Sequence, residues 1–405
     1  MFTEKRRRLI LELLYKNESV YVNDLAPLFN VSKETIRNDL NFLTQKGVIK
    51  RCHGGAMIEN KTLNAEAINK FDATIIDFFK KIKTYKENTP EKKRKKMSGK
   101  VCILGSFNVD IIANVGRFPK GGESILSTDS IIGPGGKGAN QALAASKSLA
   151  DVHFVAKVGK DQFSQFAYDH LSSSCIKSMT LYQHEEAKTG SALIYVSQQD
   201  GENMIAIYPG ANQCITDEEV FAITPELANA DIFLTQLENN FSATLNAITI
   251  AHKLGVNVIL NPAPYSPDAL QCLHMVDFIT PNETEASLLS GIEVNNLESA
   301  KRAAECIKEQ GAGCVIITMG SKGALIFDGK KHEYIQAFKA MSVDTTGAGD
   351  AFNGAFAAAI AKGESVVQAA RFASAFASLA VEKIGASNMP DHDSALSRLS
   401  QYNGK

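Results

Sequence analysis

The sequence predicts a large three-layer α/β domain with a central, mostly parallel sheet and a small β lid, preceded by a small winged helix-turn-helix. Three observations predict it. From Val101 onward, short apolar runs alternate with segments of helical period, the pattern of strands buried on both faces between helices. Before that point the chain is helical and basic. Residues 1–100 hold 22 Lys and Arg against 12 Asp and Glu, a net of +10, and the remainder holds 21 against 32, a net of −11. Near the C-terminus, residues 344–355 read "DTTGAGDAFNGA", a glycine turn flanked by two acids that opens an alanine-rich helix.

The 405 residues are 44% apolar and 21% charged, a globular balance with room for one large and one small domain. No apolar run reaches the length that spans a bilayer. The opening "MFTEKRRRLILELLYKN" places basic residues before apolar ones, but Glu12, Lys16 and Asn17 interrupt them, unlike a secretory signal. The 7 cysteines are scattered and never spaced as C-x-x-C, the usage of reduced thiols and not of a disulfide scaffold or zinc site. A cytoplasmic protein with no membrane partner is expected. A basic head on an acidic body is the pattern of a chain whose head alone meets a polyanion. A solvated lysine-rich face would give the same count.

Taking the elements in order, residues 1–58 form the head. Leu9, Ile10, Leu13 and Leu14 fall at helical spacing, as do Leu25, Leu28 and Phe29, with a polar break over 17–21. Ser32 is placed to cap the next helix. There Ile36, Leu40 and Leu43 form a buried stripe, and Lys33, Glu34, Thr35, Arg37, Asn38 and Asn41 form the opposite face. Gly47 ends this helix, and residues 48–56, "VIKRCHGGA", read as a short basic hairpin. Ser32, Lys33, Thr35, Arg37 and Asn38 would enter a major groove, while Lys50, Arg51 and His53 meet phosphates. The words "VSKETIRNDLNFLTQKGVIKRCHGGA" (31–56) closely resemble the DNA-binding domain of the DeoR-type repressor family, over residues 3–57. The resemblance implies double-stranded DNA as a partner.

Residues 59–99 form a linker. Ile68, Phe71, Ile75, Phe78, Ile82 and Tyr85 recur at steps of three and four, a short a/d seam. Such a helix can pair with its twin in a homodimer, presenting two heads to a two-fold DNA site, or fold back on its own chain. Pairing is the expectation taken forward. Pro90 and the basic run from Lys92 to Lys96 then read as a hinge able to touch DNA backbone.

Residues 100–405 form the large domain. Its strands are predicted in "VCILGS", "VHFVAKVG", "DIFLTQLE", "VNVILNPAP", "VDFITPN" and "CVIITMG". Ligands gather at the carboxyl ends of parallel strands, where Asn108, Asp110, Glu238, Asn261, Asn282 and Glu285 lie. Two further pieces, 111–118 and 190–197, are expected to form the separate lid sheet. Gly133 to Gly138 satisfies G-x-G-x-x-G, but it falls in the second structural unit of the domain, which is weak evidence for a dinucleotide site. The lysine of this segment is followed by Gly138, so it is no P-loop.

The segments "GSFNVD", "GGKGANQA", "PGAN", "LNPAP", "TPNETEA", "TMGSKG" and "DTTGAGDAFNGA" closely resemble, in family order, the ribokinase (PfkB-type) family of sugar kinases. The likeness runs from about Val101 to the C-terminus. Phosphoryl transfer to a sugar hydroxyl needs a base, donors for the phosphoryl oxygens and a metal. Asp350, read as first in its helix, suits the base, and the amides of Gly347, Ala348, Gly349 and Asp350 suit an anion hole at a helix N-terminus. The resemblance implies that Asn108, Asp110, Gly136, Lys137, Asn140 and Glu238 hold the sugar. It implies that Asn282, Thr318, Gly320, Ser321, Gly323, Gly349 and Ser374 meet ATP, and that Glu285 organises Mg²⁺ through water. Asp344 with the carbonyls of Thr346, Ala380, Lys383 and Gly385 matches a K⁺ site of an activating ion. Here "GASNMP" (385–390) is one residue shorter than the family pattern.

Asn108 and Asp110 favour D-ribose phosphorylated at O5 over 2-deoxyribose, because a buried amide with no partner hydroxyl is disfavoured by about 1–3 kcal/mol. The expected function joins ribose kinase activity to transcriptional regulation of sugar catabolism. A deoxyribose or nucleoside kinase with the same head, a sugar-sensing regulator without kinase activity, and a kinase with a vestigial head are the alternatives.

Overall fold

The computed structural model describes residues 10, 14, 19–29, 31–45, 49–52, 54–57 and 98–402, and the chain divides into two units, residues 1–92 and 93–405. The linker seam, the basic run, Gly47 and His53 lie outside the described residues.

In the first unit, β1 (Ser19–Tyr21) leads directly into α1 (Val22–Leu28), and α2 (Lys33–Gln45) is followed by β2 (Lys50–Cys52) and β3 (Gly55–Met57). The Ser32 hydroxyl accepts the Thr35 amide at 3.1 Å, the N-cap expected from sequence. Ile36, Leu40 and Leu43 are fully buried with Ile10, Leu14 and Leu25. Leu28, expected inside, is exposed, while Phe29 packs against the cluster. Strands β2 and β3 form the hairpin, Arg51 opposite Ala56. The polar break at 17–21 is corrected: its end is β1, which pairs antiparallel with β3 and makes the wing three-stranded. Three residues are too few to show alternation, and the partner lies far along the chain.

In the second unit a nine-stranded sheet has the order β16-β15-β14-β13-β12-β11-β4-β7-β8. Its parallel part comprises β4 (Lys100–Leu104), β7 (Asp151–Gly159), β8 (Ser178–His184), β11 (Ile232–Thr235), β12 (Asn257–Leu260), β13 (Phe278–Ile279) and β14 (Cys314–Thr318). The remaining pair, β15 (Ala324–Phe327) and β16 (His332–Ile335), runs antiparallel. A second sheet, ordered β10-β9-β5-β6, holds β5 (Asn108–Val115), β6 (Ser127–Gly135), β9 (Gly190–Ser197) and β10 (Asn203–Tyr208). This is the expected lid, with one correction. The strand begins at Asn108, not Ile111, because only residues 105–107 separate it from β4. Asn108 and Asp110 therefore belong to the lid.

Ten described α-helices complete this unit: α3 (Lys137–Lys147), α4 (Gln162–Ser173), α5 (Asp217–Ala222), α6 (Thr224–Asn229), α7 (Phe241–Leu254), α8 (Glu283–Ser290), α9 (Leu297–Glu309), α10 (Ala348–Ala361), α11 (Val366–Ala380) and α12 (His392–Tyr402). Among the described residues no helix is long and apolar enough to cross a membrane.

Helix α10 is buried along nearly its whole length and packs between α3 and α11. Small residues allow this, since Ala and Gly let helix backbones approach closely. At Gly354 a Cβ would stand 2.4 Å from the Gln141 carbonyl oxygen and 2.6 Å from the Ala144 Cβ. Toward the sheet, the Phe356 ring meets Phe278 edge-on at 5.6 Å and stacks with Phe352 at 6.0 Å. Helix propensity alone favours Gly354→Ala by about 1 kcal/mol. The contact predicts the opposite sign: this variant loses about 1–3 kcal/mol of unfolding free energy through overpacking, read from denaturant midpoints.

Candidate active site

Because the parallel strands share a direction, their carboxyl ends converge. Ser106 follows β4, Gln236 and Glu238 follow β11, Asn261 follows β12, and Thr280 and Asn282 follow β13. The first turn of α10 brings Asp350 to this edge. Asp350 is 6% exposed, and it is the third residue of the helix, not the first, because α10 starts at Ala348. Asn140 Nδ2 donates to Asp350 Oδ2 at 3.2 Å, and Gln141 Nε2 donates to Oδ1 at 2.9 Å. Gln141 also donates to Asn261 Oδ1 at 3.0 Å and accepts from Gln236 Nε2 at 2.6 Å. Asn140 Oδ1 accepts the Ser387 hydroxyl at 2.9 Å. One carboxylate is thus wired by amides to the ends of two strands.

The turn before α10 differs in part from the expectation. Gly347 adopts φ +79°, and a Cβ there would lie 2.7 Å from the Ala386 Cα, so its need for glycine is met by conformation and packing. Gly349 has open space where a Cβ would stand. The Ala348 amide turns back to the Thr345 carbonyl at 3.2 Å, which removes it from the expected anion hole. The Asn353 amide fixes the Gly349 carbonyl at 2.8 Å and accepts the Thr280 hydroxyl.

The residues expected at the sugar come from the lid (Asn108, Asp110), the start of α3 (Gly136, Lys137, Asn140) and the loop after β11 (Glu238). Glu238 Oε2 accepts the Lys137 backbone amide at 3.0 Å and the Ser106 hydroxyl. Gly136 caps α3 with φ +90°. Lys137 is half-buried, and its ammonium is held above the ordinary lysine value by Asp350 first, against burial, with help from Glu238 and Glu285. Asp110 is pushed up to about 6 by burial, then by Glu238 and Asp350.

Of the residues expected at the nucleotide and its metal, Asn282 and Glu285 form a reciprocal capping box at α8. Asn282 Oδ1 accepts the Glu285 amide at 2.8 Å, and the Glu285 carboxylate accepts the Asn282 amide at 2.9 Å and its side-chain NH₂ at 3.0 Å. Burial raises the Glu285 carboxyl, and Asn282 and Lys137 oppose it only in part. Asn282 bridges to Thr318 at the end of β14. Gly320 and Ser321 are exposed on the short turn that follows. Gly323 is buried at φ +96°, and a Cβ there would lie 2.0 Å from the Ile335 carbonyl oxygen, so packing alone demands this glycine. Ser374 lies half-buried in the middle of α11.

Asp344 joins two loops: Oδ1 accepts the Thr346 amide at 2.9 Å and Oδ2 the Gly385 amide at 2.9 Å. Burial would raise its carboxyl, but these donors outweigh it and hold the group below its ordinary value. The Ala380 carbonyl accepts the Lys383 amide at 3.1 Å.

In the head, Lys33, Arg37, Asn38 and Lys50 are exposed, Thr35 and Arg51 half-buried. Arg37 pairs with Glu34 at 3.0 Å, a contact at the surface that a stronger anion can displace.

Sequence reading passed over Gln141, Asn353, Ser106 and Ser387. The signal for Gln141 and Asn353 was available as amide side chains standing in runs of alanine.

The Asp110 shift fixes a pH dependence. The folded state holds a proton on Asp110 that the unfolded chain, at its ordinary value of 3.8, has released. This contribution is fully present below pH 3.8 and is lost as pH rises through about 6, at most about 3 kcal/mol. Asp110→Asn removes it, so the variant should gain thermal stability relative to wild type between pH 4 and 6.5, checked by melting across ~pH 4–7.

Residues 98–393 match the pfkB family carbohydrate kinase model, and residues 6–62 match the DeoR-like helix-turn-helix domain. The chain is 39% identical over 293 residues to the ribokinase of Staphylococcus aureus, covering 72% of this chain and 96% of that protein. It is 35% identical over 286 residues to the deoxyribokinase of Salmonella typhi, covering 69% of this chain and 92% of that one. Among solved structures, Arabidopsis thaliana ribokinase complexed with ribose and ATP matches with a TM-score of 0.69 at 34% identity, over 74% of this chain and 98% of that chain. With these likenesses added to the lid, the convergent strand ends and the buried Asp350, the chain belongs to the pfkB family of carbohydrate kinases, a sugar kinase that carries a DeoR-like helix-turn-helix domain ahead of its kinase domain.

Proposed function

We propose that this chain transfers the γ-phosphoryl group of ATP to O5 of D-ribose, and that its head binds a DNA site governing sugar catabolism. The observation that carries the kinase reading is the buried Asp350, held by two amide donors at the first turn of α10. A carboxylate so held can take the proton of the attacking hydroxyl. The Gly349 and Asp350 amides make no bond to another described residue, and they face charge gathering on the phosphoryl oxygens. Asn108, Asp110, Gly136, Lys137, Asn140 and Glu238 hold the sugar, with Lys137 offsetting the acids around it. Asn282, Thr318, Gly320, Ser321 and Ser374 line the nucleotide.

Glu285 suits a hydrated Mg²⁺. Both its oxygens already accept one N–H, and each keeps a lone pair for a water of the ion. The ion would neutralise phosphate charge. Asp344 with the carbonyls of Thr346, Ala380, Lys383 and Gly385 suits K⁺, since each oxygen that accepts a backbone amide retains a second lone pair. Potassium should then raise activity over sodium at equal ionic strength. Ile132, Leu193, Tyr195 and Met204 lie on one face of the lid by register and are exposed, an apolar surface that supports a homodimer.

Deoxyribose is the second reading, favoured by the deoxyribokinase likeness. Asn108 and Asp110 support ribose. Ribose should exceed 2-deoxyribose by about tenfold in kcat/KM, and the reverse ranking would overturn the assignment. Asp350→Asn should lower kcat about 10²–10⁴-fold while gel shifts on fragments from its own locus persist. Arg37→Ala should abolish those shifts and spare the kinase. A wild type that releases no ADP with ribose would make the chain a sensor only.

A further inference from the structure

Asn212, the last residue of "PGAN", has no part in the assignments above. It is 1% exposed and lies in a short turn over Gly210–Cys214. The backbone amide of Phe107 donates to Asn212 Oδ1 at 3.1 Å. A backbone N–H can only donate, so the atom it meets is the amide oxygen, and the other side-chain atom is the NH₂. That NH₂ reaches the Phe107 carbonyl at 3.2 Å and the Pro209 carbonyl at 2.9 Å, both of which only accept. The orientation is therefore consistent at three independent points.

The same NH₂ donates to Asn108 Oδ1 at 2.8 Å. This fixes a second amide in turn. The oxygen of Asn108 is occupied, and its own NH₂, which bonds no other described residue, is left for a ligand. Asn108 is 4% exposed, so a donor left without a partner there is costly. Asn108 and Asp110 are two residues apart on β5 and share one face of the lid. The seat of Asn212 is itself anchored, because the buried Lys157 ammonium donates to the Cys214 carbonyl at 2.8 Å and to Glu219 at 2.8 Å.

We propose that Asn212 is a specificity-positioning residue. It locks the Asn108 amide with its NH₂ toward the sugar, so that the site demands a hydroxyl at C2 of the sugar, one that accepts from Asn108 and donates to the Asp110 carboxylate. This rests on the ribose reading, in which 2-deoxyribose lacks such a hydroxyl. An Asn108 amide free to turn would find another partner for its NH₂, and the missing hydroxyl would leave nothing stranded.

Two variants disturb the lock by different means. Asn212→Asp keeps an acceptor for the Phe107 amide but cannot donate to Asn108. Gly190→Ala keeps both amides and adds a Cβ that would lie 2.2 Å from Asn108 Oδ1 and 2.4 Å from Asn212 Nδ2. Steady-state kcat and KM for ribose and 2-deoxyribose are measured on the full chain, with melting curves to show that each variant folds. The expected result is a ribose-to-deoxyribose ratio of kcat/KM that drops by about fivefold or more in each folded variant, chiefly through the KM for ribose. Equal losses on both sugars, with the ratio kept, would mean a merely structural role and overturn the inference. A wild type with no preference for ribose overturns the ribose reading and takes this inference with it. A preference that survives in a folded variant overturns this inference alone.

Discussion

The site depends on how closely two helices can approach. Gly354 and Ala144 let the backbones of α10 and α3 come within a distance that a larger side chain at either position would forbid. One turn before Gly354 stands Asp350, and beside Ala144 stand Asn140 and Gln141. The close contact thereby places a carboxylate within reach of two amides. Those amides belong to a helix that follows the lid strand β6, while the carboxylate belongs to a helix that starts at the glycine turn. The alanine content of both helices follows from this geometry as much as from helix propensity.

Around that contact the charges are arranged against their own preference. Asp110, Glu238, Glu285 and Asp350 are all partly or wholly buried, and the Lys137 ammonium offsets Asp350, Glu238 and Glu285. Burial disfavours the ionised forms of Asp110 and Glu285, and neighbouring acids disfavour them further. The result is visible in the raised carboxyls of Asp110 and Glu285. Hydrogen bonds from Asn140, Gln141, Ser106 and the Lys137 amide supply part of the compensation. Such a cluster is suited to ligands rich in hydroxyl donors and to a cation carried with phosphate.

Much of the fold was legible because its signals are local. The alternation of buried strands with helices announced the α/β domain, and the Ile36, Leu40 and Leu43 stripe announced the helix of the head. Local signals left the packing and capping roles of some residues unseen. Asn282 and Glu285 read as nucleotide and metal groups, yet they also cap α8, and Gly323 has a packing reason of its own. The strand at Ser19–Tyr21 was hidden because its identity comes from a distant partner and not from its three residues.

By itself the sequence determined the two kinds of domain, six of the seven strands of the parallel part, the glycine turn with its acid, and the polar face of α2. These are properties of period, spacing and composition, and they survive without knowledge of neighbours. Only the tertiary structure decided which amides hold Asp350, that Asn108 and Asp110 ride on the lid, and that Asn212 sets the orientation of Asn108. Each of these is a contact between residues on different elements of the chain, or a choice between two ends of an amide. Hydrogen-bond direction in a packed interior makes that choice, and no periodicity in the chain encodes it.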